Sequence, residues 1–213
     1  IIYAHFDCNQ TVFSYEIFFH EINTQNISTL LDDNDIEITS FPLLHSIPTV
    51  GFRFQEKDRD LNIRPEAIQK YNFDIETIKR IKKGDDVTLN DHTVIANSEL
   101  TLAPFRKRSF AYCSDTAFFP EIVEHIREVD ILYHEATFSH IDEENAKVAM
   151  HSTTTQAATI AKKASVKLLL IGHFSSRYFD FQSLLKEARS QFDDTILAEE
   201  GTVYRIDLER KSH

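Results

Sequence analysis

The chain has 213 residues, 42% hydrophobic and 27% charged, with a formal net charge of −11. That is enough chain for one buried core, the composition is that of a globular protein, and no apolar run reaches the roughly 20 residues that span a bilayer. Two cysteines, Cys8 and Cys113, make neither a disulfide framework nor a paired zinc motif, which suits a reducing cytoplasm.

The acidic balance speaks against nucleic acid until its distribution is read, since phosphate binding requires cationic surface. Residues 53–108 hold 12 Lys+Arg against 10 Asp+Glu, whereas the remainder holds 11 against 24. The first 52 residues contain neither Lys nor Arg. A basic-leaning insertion on an acidic body is compatible with RNA.

In chain order, TVFSYEIFFHEI (11–22) reads as an aromatic-rich strand and residues 23–37 as a turn-rich connection. EITSFPLLHS (37–46) and TVGFRFQ (49–55) read as two strands around the turn Ser46-Ile47-Pro48. From Glu56 to about Pro104 the pattern changes. IRPEAIQKY (63–71) predicts a short helix with Pro65 near its first turn. FDIETIKRIKKG (73–84) predicts a second, with Asp74 as N-cap, Ile75, Ile78 and Ile81 on one face and Gly84 as terminator. DVTLNDHTVIA (86–96) predicts a hairpin around Asn90-Asp91.

Beyond Phe110 the order is strand, polar turn, helix, repeated. SFAYC (109–113) ends at Asp115, DILY (130–133) at His134-Glu135, and VKLLLIG (166–172) at His173. Helices are expected over FFPEIVEHIREV (118–129), over TTQAATIAKKA (154–164), capped by Ser152 or Thr153 with Thr153-x-x-Gln156 at capping-box spacing, and over LLKEARSQF (184–192). TILAEEG (195–201) and TVYRIDL (202–208) are expected to close as two strands around Glu200-Gly201. This is an α/β chain. Groups at strand carboxyl ends gather on one rim in such sheets, so an Asp, two His and a Glu there make a metal or acid–base constellation. Cys113, two residues before Asp115, reads as a small buried hydrophobe.

SDT, HEATF, HSTTTQAA and GHFSSRY, in this order, resemble the C-terminal half of ribonuclease Z, a family of tRNA 3′-processing endonucleases in the metallo-β-lactamase superfamily. HSIPTVGFRF (45–54) matches that family's earlier His-containing strand pair, so the resemblance runs from about Ile36 to about Tyr204. It implies part of an αββα sandwich, one incomplete domain over residues 1–213, with residues 56–104 as an inserted tRNA-gripping arm. The implied activity is zinc-dependent removal of 3′ trailers from precursor tRNA, leaving a 3′-hydroxyl. The intact protein would hold two zinc ions and form a cytoplasmic homodimer that acts on neither DNA nor membranes. By resemblance His45 binds one zinc, His173 the other, and Asp115 bridges them. His134 and Glu135 stand beside the metals to orient ligands or hold a proton. His151 contacts the scissile phosphate and protonates the leaving oxygen. Ser175 and Arg177, with the arm cations Lys79, Arg80, Lys82 and Lys83, are the expected RNA contacts.

Two departures qualify this. The superfamily's His-x-His-x-Asp-His signature has no counterpart, the nearest string being AHFDC (4–8), and the chain begins at Ile1. The expectation is therefore a piece of the enzyme, with a partial or empty zinc site, uncovered apolar sheet surface and no activity by itself. The arm also lacks the family's Gly-Pro pair. The alternatives are another metal-dependent phosphodiesterase of the superfamily, against which the arm argues, and a non-catalytic piece that binds RNA or a partner chain, which the missing ligands favour.

Overall fold

The computed structural model describes residues 15–211. In chain order its regular elements are β1 (Ser28–Asp32), β2 (Ile36–Pro42), β3 (Val50–Glu56), α1 (Pro65–Tyr71), α2 (Ile75–Lys83), β4 (Val87–Thr88), β5 (Val94–Ile95) and α3 (Asn97–Leu100). They continue with β6 (Ser109–Cys113), β7 (Ile131–Glu135), α4 (Glu143–Ala149), α5 (Thr154–Ala164), β8 (Leu168–Gly172), α6 (Phe181–Arg189) and β9 (Thr195–Leu197). Seven strands form one sheet in the order β1-β2-β3-β6-β7-β8-β9. The first four pair antiparallel and the last four, from β6, run parallel. Parallel neighbours require crossovers, and α5 and α6 are two of them.

Alternation along the strands divides the sheet into two faces. Ala111, Cys113, Leu132, Leu169 and Ile171 point into one core with Ala157, Ala158, Ile160 and Ala161 of α5. The small alanines let α5 lie close against the strands. Its start is set by the capping box read from the sequence: Thr153 accepts from the Gln156 amide, and the Gln156 side chain accepts from Thr153. Burial raises the Cys113 thiol pKa and keeps the thiol neutral. On the opposite face Phe54 meets Phe110 and Tyr112 stacks on Tyr133, with ring centroids 5.7 and 4.8 Å apart. Tyr204 and Ile206 of the C-terminal segment line the same side as Phe54 and Phe110.

The stretch between β3 and β6 has a core of its own, formed by Ala67, Ile81, Ile95 and Leu100 with Tyr71, Phe73 and Val87. Asp74 caps α2 by accepting from Thr77 N, and Gly84 ends it with φ +107°. β4 and β5 form the expected antiparallel hairpin. Ile81 is fully buried, but Ile75 is 72% exposed and does not share its face. The stretch leaves the sheet where Gln55 pairs with Ser109, the end opposite Asp115.

Three further expectations are corrected, and one element is new. Residues 15–22 form no strand, and 11–14 lie outside the described residues; the edge position beside β2 is taken by β1, inside the segment read as a connection. The helix over 118–129 is only a 3-10 turn, Pro120–Glu124. Ile122, Ile126 and Val129 are buried at helical spacing, but Glu128 sits at φ +55° and its amide donates to Ala164 O. Residues 202–208 add no strand; Tyr204 Oη donates instead to Leu197 O, and Ile206 O accepts from Arg108. Finally, α4 appears where the sequence suggested no element.

Candidate metal and acid–base site

Four loops at the carboxyl ends of the strands, or in the β2–β3 turn, converge. Glu135 closes β7 and is completely buried. Its carboxylate accepts from Thr116 N (2.8 Å), Thr137 N (3.1 Å), Thr137 Oγ1 (2.5 Å) and Ser152 N (3.2 Å). His151 Nδ1 donates to Glu135 Oε1 at 2.6 Å. Burial alone would raise the Glu135 pKa. The bonds from His151, Thr137 and Thr116 outweigh it and hold the carboxylate below its usual range. Reciprocally, the hydrogen bond to Glu135 raises the His151 pKa against the opposing effect of burial.

His45 reaches the same place from the β2–β3 turn, its Nδ1 2.9 Å from Met150 O. A carbonyl only accepts, so Nδ1 carries a proton and Nε2 is the ring nitrogen left to take a ligand. A parallel argument applies to His173, at φ +61° after β8. The single Thr137 hydroxyl proton goes to Glu135 Oε2, so Thr137 Oγ1 accepts from His173 Nδ1 at 2.8 Å. His173 Nε2 then faces Asp115 Oδ1 at 3.3 Å, an ion pair when the ring is doubly protonated and two lone pairs that a cation could share when it is not. His45, Asp115 and His151 can bring one ligand atom each within 4.8 Å of one another, and so can Glu135, His151 and His173. The His151 ring lies between the other two imidazoles, 4.9 Å from His45 and 5.3 Å from His173.

This donor set fits a zinc ion in kind. Two imidazoles are each anchored through Nδ1, and a half-exposed carboxylate lies beside them, the pattern in which outer hydrogen bonds orient metal ligands. In number it is short: His45, Asp115 and His173 are three groups, where each ion takes about four partners.

Of the expected site residues, the structure brings together His45, Asp115, Glu135, His151 and His173. It does not bring His134. Consecutive strand residues point to opposite faces, so His134 turns into the helix-side core with 1% exposure, its Nδ1 2.6 Å from Glu135 O. Burial lowers its pKa, and its Nε2 has no hydrogen-bond partner among the described residues. Ser175 donates its amide to Thr137 O, and Arg177 lies over the Phe138 ring at 5.0 Å and 3.8 Å from Asp142. Both flank the site. Lys79, Arg80, Lys82 and Lys83 are on α2, in the separate small core's unit; Lys79 pairs with Glu76, Arg80 with Asp85 and Lys83 with Asp60. Sequence reasoning overlooked Thr137 and the Met150 carbonyl. The only signal for Thr137 was its place two residues after Glu135, on the same face.

Along its length the chain is similar to curated proteins named ribonuclease Z. It is 43% identical over 193 residues to that of Bacteroides thetaiotaomicron, covering 91% of this chain and 61% of the relative. It is 44% identical over 194 residues to that of Porphyromonas gingivalis, covering 91% and 63%. The chain thus spans about three-fifths of the length of these relatives. Among solved structures it superposes on the metallo-β-lactamase fold protein YhfI from Bacillus subtilis with a TM-score of 0.54 at 17% identity, over 83% of this chain and 52% of that one. That likeness establishes the metallo-β-lactamase fold. No family model matches the chain.

Proposed function

We propose, for a chain homologous to ribonuclease Z over nine-tenths of its length, that it carries the acid–base side of a phosphodiester-cleaving centre whose substrate is precursor tRNA. One observation supports this most: His151 is tied through Nδ1 to the buried Glu135 carboxylate, while its ring lies between those of His45 and His173 and groups with Asp115. Glu135 holds the Nδ1 proton, and its charge favours a second proton on Nε2. A phosphodiester placed across His45, Asp115 and His173 would set its leaving oxygen beside His151. As a water attacks phosphorus and the bond to the 3′ oxygen breaks, transfer of the Nε2 proton to that oxygen would release a 3′-hydroxyl and leave the phosphate on the trailer. His45, Asp115 and His173 are the groups that would hold zinc, which when bound supplies charge neutralisation at the phosphate and a water of lowered pKa. Thr137 keeps His173 and Glu135 in register. The α2 cations would hold the tRNA body, and a cytoplasmic homodimer goes with the same reading.

The test uses the longest natural form of the protein that contains this chain, offered precursor tRNA with a 3′ trailer and, separately, a generic aryl phosphodiester. Both should be cut. His151→Ala should lower kcat by about 10²–10⁴-fold while tRNA affinity is kept. Cleavage of the aryl ester alone would favour another phosphodiesterase of the superfamily. Loss of zinc rather than turnover in the variant would make His151 a ligand.

A further inference from the structure

At the far end of β6 from Asp115, roughly 20 Å away at the rise of a strand, six cations converge. Arg53, Arg106, Lys107, Arg127, Lys167 and Lys211 line a cleft of about 430 Å³, with Glu128 as the carboxylate in its wall. Four further carboxylates neutralise them in part. Asp130 is buried and lies 2.5 Å from Arg106 and 3.3 Å from Lys167. Asp58 meets Lys107 at 3.2 Å, Glu124 meets Arg127 at 2.5 Å, and Glu209 meets Arg106 at 3.2 Å. The lining itself carries six cations against one carboxylate, Glu128; five others, Glu37 near Arg53 included, lie outside it, so the wall is cationic in a chain whose net charge is −11.

Two features set this cleft apart from a solvated charged face. Arg53 is half-buried, and among the described residues its guanidinium donates to neutral groups, His125 O at 3.1 Å and Gln55 Oε1 at 2.9 Å. Burial lowers its pKa, against the opposing field of Glu37. The rim carboxylates are also easily displaced, because Asp58, Glu124 and Glu209 are 70, 68 and 61% exposed. Exposed ion pairs contribute little, and a phosphate, which matches the planar guanidinium fork in two places, competes with them readily.

We infer that this cleft is a phosphate-binding site for an RNA backbone, separate from the catalytic group. It rests on the reading of the chain as an RNA-processing nuclease. Lys107 and Arg106 join it to the root of the α1–α3 stretch, so a strand held by the α2 cations can continue onto the body of the protein.

The experiment is fluorescence anisotropy of this chain with a short labelled single-stranded RNA across a salt series. The R53Q/R127Q/K211Q variant should bind about tenfold or more weakly, and its slope of log affinity against log salt should fall by about 2, at roughly 0.7 per released phosphate contact. Lys162, Lys163 and Lys186 on the helix surface serve as a control: K162Q/K163Q/K186Q loses the same charge and should change little. R53K should restore most of the binding. If the triple variant melts early, R127Q/K211Q, at two exposed positions, carries the test with a smaller loss. Equal weakening in the cleft and control variants, or none in the cleft variants, overturns the site. Inorganic phosphate that binds the cleft while RNA ignores the substitutions overturns the RNA assignment. Failed tRNA cleavage with RNA binding intact would instead sink the nuclease reading and leave the cleft standing.

Discussion

Thr137 makes two bonds with one hydroxyl, donating to Glu135 and accepting from His173. It joins the proposed acid–base pair to the proposed ligand group. Thr137→Val keeps the shape and removes both bonds. In the full-length protein zinc affinity should fall about 10–100-fold, as for other groups that orient metal-bound histidines, and stability by about 1.5–3 kcal/mol for a lost charge-assisted bond. Chelator competition reads the first and thermal melting the second. A melting shift with zinc affinity untouched would reduce Thr137 to a packing residue. His134 is the contrasting case. Its neighbour Glu135 is central, yet a change of one residue along a strand sends the side chain to the other face.

At the scale of the element, α5 places His151 and Ser152 through its cap. Thr153→Ala removes an N-cap worth about 1 kcal/mol, so the melting temperature should drop by about 2–4 °C for a chain of this size. Calorimetry settles it, and an unchanged melting temperature would mean that Glu187, bonded to Thr154 Oγ1 at 2.6 Å and Ser139 Oγ at 2.7 Å, holds the segment without the cap. α2 makes a different prediction. Charge reversal at Lys79, Arg80 and Lys82 should raise KM for tRNA and flatten its salt dependence, leaving an aryl phosphodiester unaffected. Lys83 is best spared, because its bond to Asp60 at 2.7 Å also ties α2 to the chain entering the stretch. Equal loss on both substrates would show that these cations support the fold.

At the scale of the whole molecule, the joint between the sheet and the inserted stretch is an ion-pair clamp. Arg108 donates to Glu56 through Nε at 3.0 Å and Nη2 at 2.6 Å, and Arg59 adds a third contact at 2.6 Å. The hydrogen bond from Arg108 pulls the Glu56 pKa from 4.5 down to about 2. A carboxyl depressed in the folded state stabilises fully above its unfolded pKa and loses that contribution as pH falls through its folded one. The contribution should thus be complete above about pH 4.5 and fade towards pH 2. Glu56→Gln should cost about 1–2 kcal/mol at neutral pH, and the two proteins should converge in stability near pH 2. Urea melts across that range decide it; a constant gap would mean that Glu56 acts through packing.

The sequence by itself determined the local and the periodic. Its alternations placed β2, β3, β6, β7 and β8, Asp74 and Thr153 marked helix starts, Gly84 marked an end, and four short motifs in order identified the kinship and five residues that do meet. These signals lie within a few neighbouring residues, where backbone sterics and capping bonds act. Tertiary structure decided the rest. Residues 28–32 became an edge strand because β2 offered a ladder, residues 118–129 coiled because Ala164 captured the Glu128 amide, and residues 202–208 found Leu197 and Arg108 in place of a strand. The proton positions on His45 and His173 depended on Met150 and Thr137, partners 105 and 36 residues away. Burial and hydrogen bonding between such distant residues have no local pattern, so no window of sequence records them.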